Sequence, residues 1–237
     1  MKKIKTFLSD FSLGEKLLWS ISALVILASF LAFDRGNYLT LAASLIGVTS
    51  LIFDAKGHHF GQLLMVVFSI LYGVISFTFS YYGEMITYLG MTAPMAVAAY
   101  LSWKKNPFGQ GKTEVQVNRI SSAEHGFMWL LAAVVTGIFY FVLKAFDTAN
   151  LLPSTVSVTT SFLAVYLTWR RSPYYALCYA ANDVVLILLW VLASVENKAY
   201  ISVVVCFGAF LVNDLYAFFC WKKMEHRQAA FQASCAK

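Results

Sequence analysis

The feature that most constrains this chain is a series of eight apolar segments, each about as long as a bilayer is thick. A helix needs about 20 apolar residues to cross the hydrocarbon core of a membrane. Charged residues make up only 13% of the chain, whereas soluble domains carry about 25%. We therefore predict an all-α polytopic membrane protein. The predicted spans are 17–33, 38–54, 60–80, 83–103, 126–146, 151–169, 173–195 and 198–221.

A tripeptide that occurs twice indicates how these spans are grouped. Trp-Lys-Lys begins at Trp103 and again at Trp221, and each time it ends a series of three spans. We interpret both indoles as anchors at the lipid headgroups. The pattern predicts a 3+1+3 arrangement of parallel three-helix units, similar to that of SWEET transporters, preceded by a peripheral helix. The predicted organisation is an N-terminus and peripheral helix at 1–37, a first repeat at 38–105, a loop and linker helix at 106–150, a second repeat at 151–223 and a tail at 224–237.

The distribution of basic residues predicts the orientation of the chain. With the N-terminus in the cytoplasm, fifteen Lys and Arg residues fall on the cytoplasmic side and three on the outer side. Basic residues in short loops favour the cytoplasm, so both termini are predicted to be cytoplasmic. The net charge of +6 then reflects topology, and we expect no binding to nucleic acid. The outer residues are Arg35, Lys144 and Lys198, and the inner ones are Lys2, Lys3, Lys5, Lys16, Lys56, Lys104, Lys105, Lys112, Arg119, Arg170, Arg171, Lys222, Lys223, Arg227 and Lys237.

The sequence carries none of the common short motifs for catalysis or cofactor binding. It contains no Walker A loop and no GxGxxG, GxSxG or HExxH sequence, which argues against a self-contained ATP-driven pump. Cys178, Cys206 and Cys220 lie in apolar runs without CxxC or CxxH spacing. We interpret them as core residues. No metal, cofactor or enzymatic activity is expected.

A few polar residues lie at membrane depth, where ionisable groups are costly and usually functional. Asn182 and Asp183 occupy the centre of one predicted span, Asn213 and Asp214 lie in the last, and Glu84 begins the fourth. Structural roles stay open for each of them. An asparagine in a span often only hydrogen-bonds to a neighbouring helix, an aspartic acid can be buried for structural reasons, and Glu84 can be solvated near the surface.

Helical spacing places aromatic residues beside these polar groups, because residues three and four apart share one face. Pro94 is expected to kink the fourth span. Since the Asn-Asp pairs occur only in the second repeat, we predict a single asymmetric site between the two repeats. The residues predicted to contact the substrate are Asn182, Tyr179, Asp183, Asn213, Tyr216, Tyr175, Tyr88 and Thr87.

The second half of the chain resembles the PnuC family of bacterial vitamin transporters. Tyr175 and Cys178 stand where that family often has tryptophan, and Asp214 stands where it often has glycine. The residues that carry the resemblance are Arg170-Arg171, the span from Tyr175 to Trp190 with Asn182 at its centre, Tyr200, and Phe210-Leu-Val-Asn213-Asp214 followed by Trp221-Lys222.

The resemblance implies uptake of nicotinamide riboside across the bacterial inner membrane by facilitated diffusion, with phosphorylation by a cytoplasmic kinase trapping the substrate. It also implies a homo-oligomer, a trimer; related branches take thiamine or riboflavin. The chemistry is consistent, because aromatic faces attract a cationic ring, Asn182 can pair with a carboxamide or ribose, and Asp183 can offset the charge. No basic residue lies at midplane to balance a phosphate, which disfavours the mononucleotide.

A membrane enzyme and a membrane scaffold are the two alternatives to a transporter. An enzyme acting on a lipid needs clustered His, Asp or Ser at one interface, and the chain offers only His58 and His59 without a nearby acid. A membrane scaffold would use the Asn-Asp pairs only to join helices. The choice between nicotinamide riboside and thiamine, and coupling to protons or sodium through Asp183, Asp214 or Glu84, stay open.

Overall fold

The computed structural model describes residues 11–78, 81–109, 113–148 and 150–235. Within these ranges, eight helices are long and apolar enough to cross a membrane, which confirms the predicted all-α membrane fold. Each helix overlaps most of one predicted apolar segment. The helices are α1 (Leu13–Phe33), α2 (Tyr38–Ala55), α3 (Phe60–Thr78), α4 (Tyr82–Lys105), α5 (Ser122–Ala145), α6 (Leu151–Trp169), α7 (Tyr175–Ser194) and α8 (Ile201–Cys235). A short 3₁₀ turn at Lys198–Tyr200 precedes α8. Of the residues counted for orientation, Lys2, Lys3, Lys5, Lys112 and Lys237 lie outside the described ranges.

Helix α4 contains a π-helical turn at Tyr88–Thr92, just before the proline predicted to kink it. Pro94 has no backbone N–H, and its ring clashes with the carbonyl group four residues earlier. The chain accommodates the ring with a wider turn, in which the Ala93 N–H donates to the Tyr88 carbonyl five residues back. Such turns often occur at functional positions. Here the turn lies on the inner side of the bundle, where the Tyr88 and Thr92 side chains are buried.

The loops after α2 and α6 fold in the same way. Gly57 has φ of 64° and Arg171 has φ of 60°, so each loop contains one residue in the left-handed region. The next residue in each loop donates its N–H five residues back, from His58 to the Phe53 carbonyl and from Ser172 to the Leu167 carbonyl. The first helix of each predicted repeat therefore ends with the same backbone hydrogen bonds.

The tryptophans of the repeated tripeptide are buried, so the prediction that they anchor the protein at the headgroups is wrong. Trp103 is 1% exposed and Trp221 is fully buried, and their ring centroids are 5.2 Å apart. Trp103 Nε1 donates to the Thr168 carbonyl at 2.8 Å, and Trp221 Nε1 donates to the Asp54 carbonyl at 2.7 Å. Helix ends leave carbonyl groups without partners. The last helix of each predicted repeat thus donates a hydrogen bond to a carbonyl group where the first helix of the other repeat ends.

Helices α1 and α5 lie at the periphery of the bundle. Helix α1 packs against α8 and α2, and α5 packs mainly against α6. Their outer faces carry exposed apolar side chains such as Leu24 (64% exposed) and Phe141 (69% exposed). In a chain that crosses a membrane, these faces contact lipid. Helices α2, α3, α4, α6, α7 and α8 form the inner bundle.

Helix α8 continues without a break past Lys223, the predicted end of the second repeat, to Cys235. Gln228 joins this extension to the segment before α5, because its Oε1 accepts from the Val117 N–H at 2.8 Å and its Nε2 donates to the Val115 carbonyl at 3.0 Å. Glu225 pairs with Arg119 at 2.7 Å. Residues 224–235 therefore belong to the folded structure at the Trp-Lys-Lys end of the bundle, which we call the basic end.

His58, in the loop between α2 and α3, is expected to make the stability of the folded protein depend on pH in the acid range. Burial lowers the pKa of His58 to about 4, and the positive charges of His59 and Lys56 lower it further. In an unfolded chain, histidine has a pKa of about 6.5. Between these two values the unfolded chain binds more protons than the folded protein. Stability is therefore complete above about pH 6.5 and decreases as the pH falls toward 4.

The melting temperature of the unsubstituted protein is expected to decrease between about pH 7 and about pH 4.5. We expect a smaller decrease in His58→Gln, because this variant has no histidine at position 58 to be protonated on unfolding. The measurement is thermal unfolding of the purified protein in detergent at several pH values. His125→Gln is the matched control, since His125 is exposed on the first turn of α5. An acid-induced loss that is equally large in His58→Gln and in the unsubstituted protein would contradict the account.

Candidate binding site

A narrow cavity of about 20 Å³ lies at the centre of the inner bundle, which is space for one water molecule in this conformation. Small-molecule sites are typically lined by apolar and aromatic groups with a few placed polar groups. This cavity has that composition, and all six inner helices contribute to it. The lining residues are Leu51, Met65, Phe68, Tyr88, Thr92, Ser161, Tyr179, Asn182, Asp183, Phe207, Phe210 and Asp214.

The Asn182 side chain is held in one orientation by hydroxyl groups of α6. Its Oδ1 accepts from Ser157 Oγ at 3.2 Å, from Thr160 Oγ1 at 2.8 Å and from Ser161 Oγ at 3.0 Å. Thr160 and Ser161 lie three and four positions after Ser157, so both are next to it on one face of the helix. Because the carbonyl oxygen is fully used, the NH₂ group is the part of this amide that remains to bind a ligand.

Two carboxyl groups lie beside this amide. Asp183 on α7 is 4% exposed and Asp214 on α8 is 2% exposed, and both residues line the cavity. Asp183 Oδ2 and Asp214 Oδ1 are buried without a hydrogen-bond partner among the described residues. The wall formed by α7 and α8 therefore presents acidic oxygens to the cavity.

Glu84 is connected to the cavity from the end opposite the basic end. It is 5% exposed, so the alternative that it is solvated at the surface is wrong. Ser157 Oγ lies 3.4 Å from Glu84 Oε1 and 3.2 Å from Asn182 Oδ1. The Ser157 hydroxyl group of α6 thus lies between Glu84 at the start of α4 and Asn182 at the centre of α7.

Aromatic rings form a further part of the cavity lining. The Tyr88 ring centroid lies 5.9 Å from that of Phe68, and the Phe68 centroid lies 5.4 Å from that of Phe210. Tyr72 supports Tyr88 at 4.4 Å, and its hydroxyl accepts from Trp190 Nε1 at 2.7 Å. Edge-to-face and tilted contacts at these distances are favourable aromatic arrangements. Neighbouring aromatic rings therefore hold the Phe68 and Tyr88 rings in place.

Four of the eight predicted contact residues line the cavity, namely Tyr88, Tyr179, Asn182 and Asp183. Tyr175 is buried nearer the basic end, with its ring centroid 5.0 Å from that of Trp221. Thr87 donates to the Gly83 carbonyl of its own helix at 2.9 Å. These two residues are buried close to the cavity but do not line it.

Asn213 and Tyr216 lie away from the cavity. Asn213 Nδ2 donates to Ser22 Oγ of α1 at 2.9 Å and to the Ala209 carbonyl at 2.8 Å. This arrangement matches the structural alternative for an intramembrane asparagine, a hydrogen bond that joins two helices. Tyr216 is half-buried on α8 and hydrogen-bonded to Cys220.

Several lining residues were not identified from the sequence. The hydroxyl stripe on α6 was detectable, because Ser157, Thr160 and Ser161 have the spacing of one helix face inside an apolar span. Phe68 had no such signal, since a phenylalanine in a span usually packs against lipid or other helices. Leu51, Met65 and Phe207 were likewise indistinguishable from ordinary apolar residues of a span.

A bundle of helices long enough to cross a membrane, packed around a polar and aromatic cavity, is the architecture expected of a membrane transport protein. The chain belongs to the nicotinamide mononucleotide transporter family, whose family model matches residues 37–223. This match confirms the resemblance to PnuC transporters noted in the sequence. The members of this family are transporters and not enzymes.

Curated relatives and a solved structure agree with this assignment. A nicotinamide riboside transporter PnuC from Neisseria mucosa is 24% identical over 216 residues, covering 89% of this chain and 82% of that protein. The protein of the same name from Haemophilus influenzae is 22% identical and covers 86% of this chain and 89% of its own length. The crystal structure of a vitamin B3 transporter PnuC superposes with a TM-score of 0.81, at 21% identity over 92% of this chain and 94% of that one. The fold is therefore shared along most of the chain.

Proposed function

We propose that this protein transports nicotinamide riboside across the bacterial inner membrane by facilitated diffusion. The observation that carries the proposal is the cavity itself, which combines aromatic rings, an oriented amide NH₂ and two carboxyl groups. Nicotinamide riboside is a flat cationic ring with a carboxamide and ribose hydroxyls, so each part of the molecule has a matching group. The names of the two curated relatives support the same substrate.

Each residue of the cavity has a proposed role. Tyr88, together with Tyr179, contacts the pyridinium ring by stacking and cation–π attraction, which is strongest at desolvated sites. Asn182 donates to the carboxamide oxygen or to the ribose. Asp183 lies opposite the positive charge. Tyr175, Thr87, Asn213 and Tyr216 are proposed to support the helices around the site rather than to contact the substrate.

The charge of the cavity favours the riboside over the mononucleotide for which the family model is named. None of the described lining residues is Lys, Arg or His. A phosphate in this cavity would carry negative charge beside Asp183 and Asp214 without a cation to balance it, and an unpaired buried charge is costly. We therefore propose an unphosphorylated cation as the cargo.

We further propose that the chain consists of parallel three-helix repeats, α2–α4 and α6–α8, joined by α5 and preceded by α1. The reciprocal bonds from Trp103 to Thr168 and from Trp221 to Asp54 support this relation, as do the matching loops after α2 and α6. Rocking of one repeat against the other would expose the cavity to each side of the membrane in turn. The basic end, and with it both termini, is proposed to face the cytoplasm, and the protein is proposed to assemble as a homotrimer.

Competitive binding tests the choice of cargo. We expect calorimetry on the purified protein to show saturable binding of nicotinamide riboside, and about 100-fold weaker or undetectable binding of nicotinamide mononucleotide, because the phosphate would be buried without a counter-charge. Thiamine also presents a cationic ring and serves as the comparison ligand. Equal affinities for the riboside and the mononucleotide would contradict the charge argument. Tighter binding of thiamine than of the riboside would assign the protein to a different vitamin.

A further inference from the structure

A second pocket lies at the basic end of the bundle and shares no lining residue with the central cavity. Its volume is about 330 Å³. Ligand pockets in proteins usually measure about 300–1,000 Å³, so this pocket can hold a ligand group in the present conformation. It is formed by residues 118–120 and His125, by residues 172–174 before α7, and by Lys222 and Glu225 of α8. We call it the basic pocket.

The charged side chains of the basic pocket do not balance one another. Glu225 is the only acid in the described lining. Its carboxylate pairs with Arg119 Nε at 2.7 Å and with Lys222 Nζ at 2.5 Å. Two cations therefore share one carboxylate, and the lining keeps a net positive charge. A pocket with this charge favours an anionic ligand, because a bound anion supplies the second negative charge.

Donor groups beside the basic pocket have no acceptor. Asn118 Nδ2 is shielded from solvent and has no hydrogen-bond partner among the described residues. The same holds for Nε and Nη1 of Arg171, whose carbonyl group accepts from the Asn118 N–H at 3.0 Å. Buried donors without a partner are rare in folded proteins, and a bound ion is one reason for them. Positive charge and unused donors together favour an anion with several acceptor oxygens, and a phosphate group has that chemistry.

An exposed apolar face begins at the basic pocket and continues along α7. Tyr174 belongs to the pocket lining and is 48% exposed, and Lys222 Nζ lies 5.2 Å from the centre of its ring. Leu177, Val184 and Leu188 are also exposed. They follow Tyr174 at intervals of three, seven and four residues, so they lie on the same face of the helix. In a chain that crosses a membrane, this face contacts acyl chains directly beside the pocket.

We propose that the basic pocket binds the phosphate group of an anionic phospholipid. The phosphate lies beside Arg119 and Lys222, and the acyl chains lie along the exposed face of α7. Basic pockets between helices at the cytoplasmic side of membrane proteins are a known kind of site for acidic lipid headgroups. A zwitterionic headgroup fits less well, because it brings its own cation to a pocket that is already positive. The inference goes beyond the proposed transport function and does not depend on the identity of the cargo.

Thermal unfolding of the purified protein in detergent tests the proposal, with phosphatidylglycerol or phosphatidylcholine of the same acyl chains added in increasing amounts. We expect phosphatidylglycerol to raise the melting temperature by about 3–6 °C and phosphatidylcholine by less than about 1 °C, because a ligand that binds only the folded protein stabilises it. Equal shifts with the two lipids would overturn the proposal. A shift of the same size with inorganic phosphate would assign the pocket to a soluble phosphate and would also overturn it.

The double substitution Arg119→Gln with Lys222→Gln tests the location of the site. It removes both cations that pair with Glu225, so the shift caused by phosphatidylglycerol should fall to the level of phosphatidylcholine. Lys104→Gln with Lys105→Gln is the matched control, because it removes two exposed lysines of the basic end that do not line the pocket. The lipid-dependent shift is compared within each variant, so a change in basal stability does not affect the result. A full shift in the pocket variant, or an equal loss in the control, would contradict the assignment.

Discussion

Replacing Asn182 with alanine is expected to weaken the binding of nicotinamide riboside by about 10- to 100-fold, as measured by calorimetry. The substitution removes the only amide that lines the cavity within the described residues. It also leaves the Ser161 hydroxyl group without the oxygen to which it donates. A buried polar group that loses its partner costs about 1–3 kcal/mol. The ligand therefore loses a hydrogen bond, and the wall of the cavity loses its fixed geometry.

Asn213→Ala is the matched control for this substitution. Asn213 is also a buried asparagine of the bundle, but its amide donates to Ser22 of α1 and does not line the cavity. We expect its affinity for the riboside to stay within about twofold of the unsubstituted protein, with a loss of stability of about 1 kcal/mol from the missing interhelical bond. If both variants lose affinity equally, the assignment of the cavity as the binding site is wrong. Unchanged binding in Asn182→Ala would also contradict it.

The second large effect is expected in Trp221→Ala, which should destabilise the protein by about 3–5 kcal/mol. The indole is fully buried and packs against Trp103 at 5.2 Å and against Tyr175 at 5.0 Å. Its Nε1 also donates to the Asp54 carbonyl. Truncation would therefore leave a large void and remove one of the hydrogen bonds to the end of α2. The measurement is denaturant unfolding in detergent micelles, with thermal unfolding as a second readout.

Trp129→Ala provides the control for tryptophan truncation. Trp129 lies on α5 and is 57% exposed, so its replacement should change the free energy of unfolding by less than about 1 kcal/mol. The difference between the two variants tests whether the repeated tripeptide is a packing element at the junction of the two repeats. Equal destabilisation in both, or a negligible effect of Trp221→Ala, would contradict this role.

The sequence was sufficient to predict the helices but not the surroundings of each helix. All eight predicted spans are helices of membrane-crossing length, because the thickness of the bilayer imposes a minimum apolar length that is visible in the composition. The role of Trp221 was predicted wrongly. A Trp-Lys-Lys sequence at the end of a span fits an interfacial anchor equally well, and only the packing of α8 against α2, α4 and α7 buries the indole.

The site was predictable where one helix face carries several polar groups. Tyr179, Asn182 and Asp183 were identified because they lie together at the centre of α7, and all three line the cavity. Asn213 lies away from the cavity, and its spacing in the sequence does not show that its face of α8 meets α1. The hydroxyl stripe on α6 was overlooked since serine and threonine in helices commonly bond to their own backbone, as Thr155 does to the Leu151 carbonyl.

Uptake of labelled nicotinamide riboside into liposomes that contain the purified protein tests the central claim most directly. The account predicts saturable uptake above that of empty liposomes, competition by unlabelled riboside, and no competition by the mononucleotide, since the cavity has carboxyl groups and no described cation in its lining. Uptake that equals that of empty liposomes, or that the mononucleotide inhibits as strongly as the riboside, would contradict it.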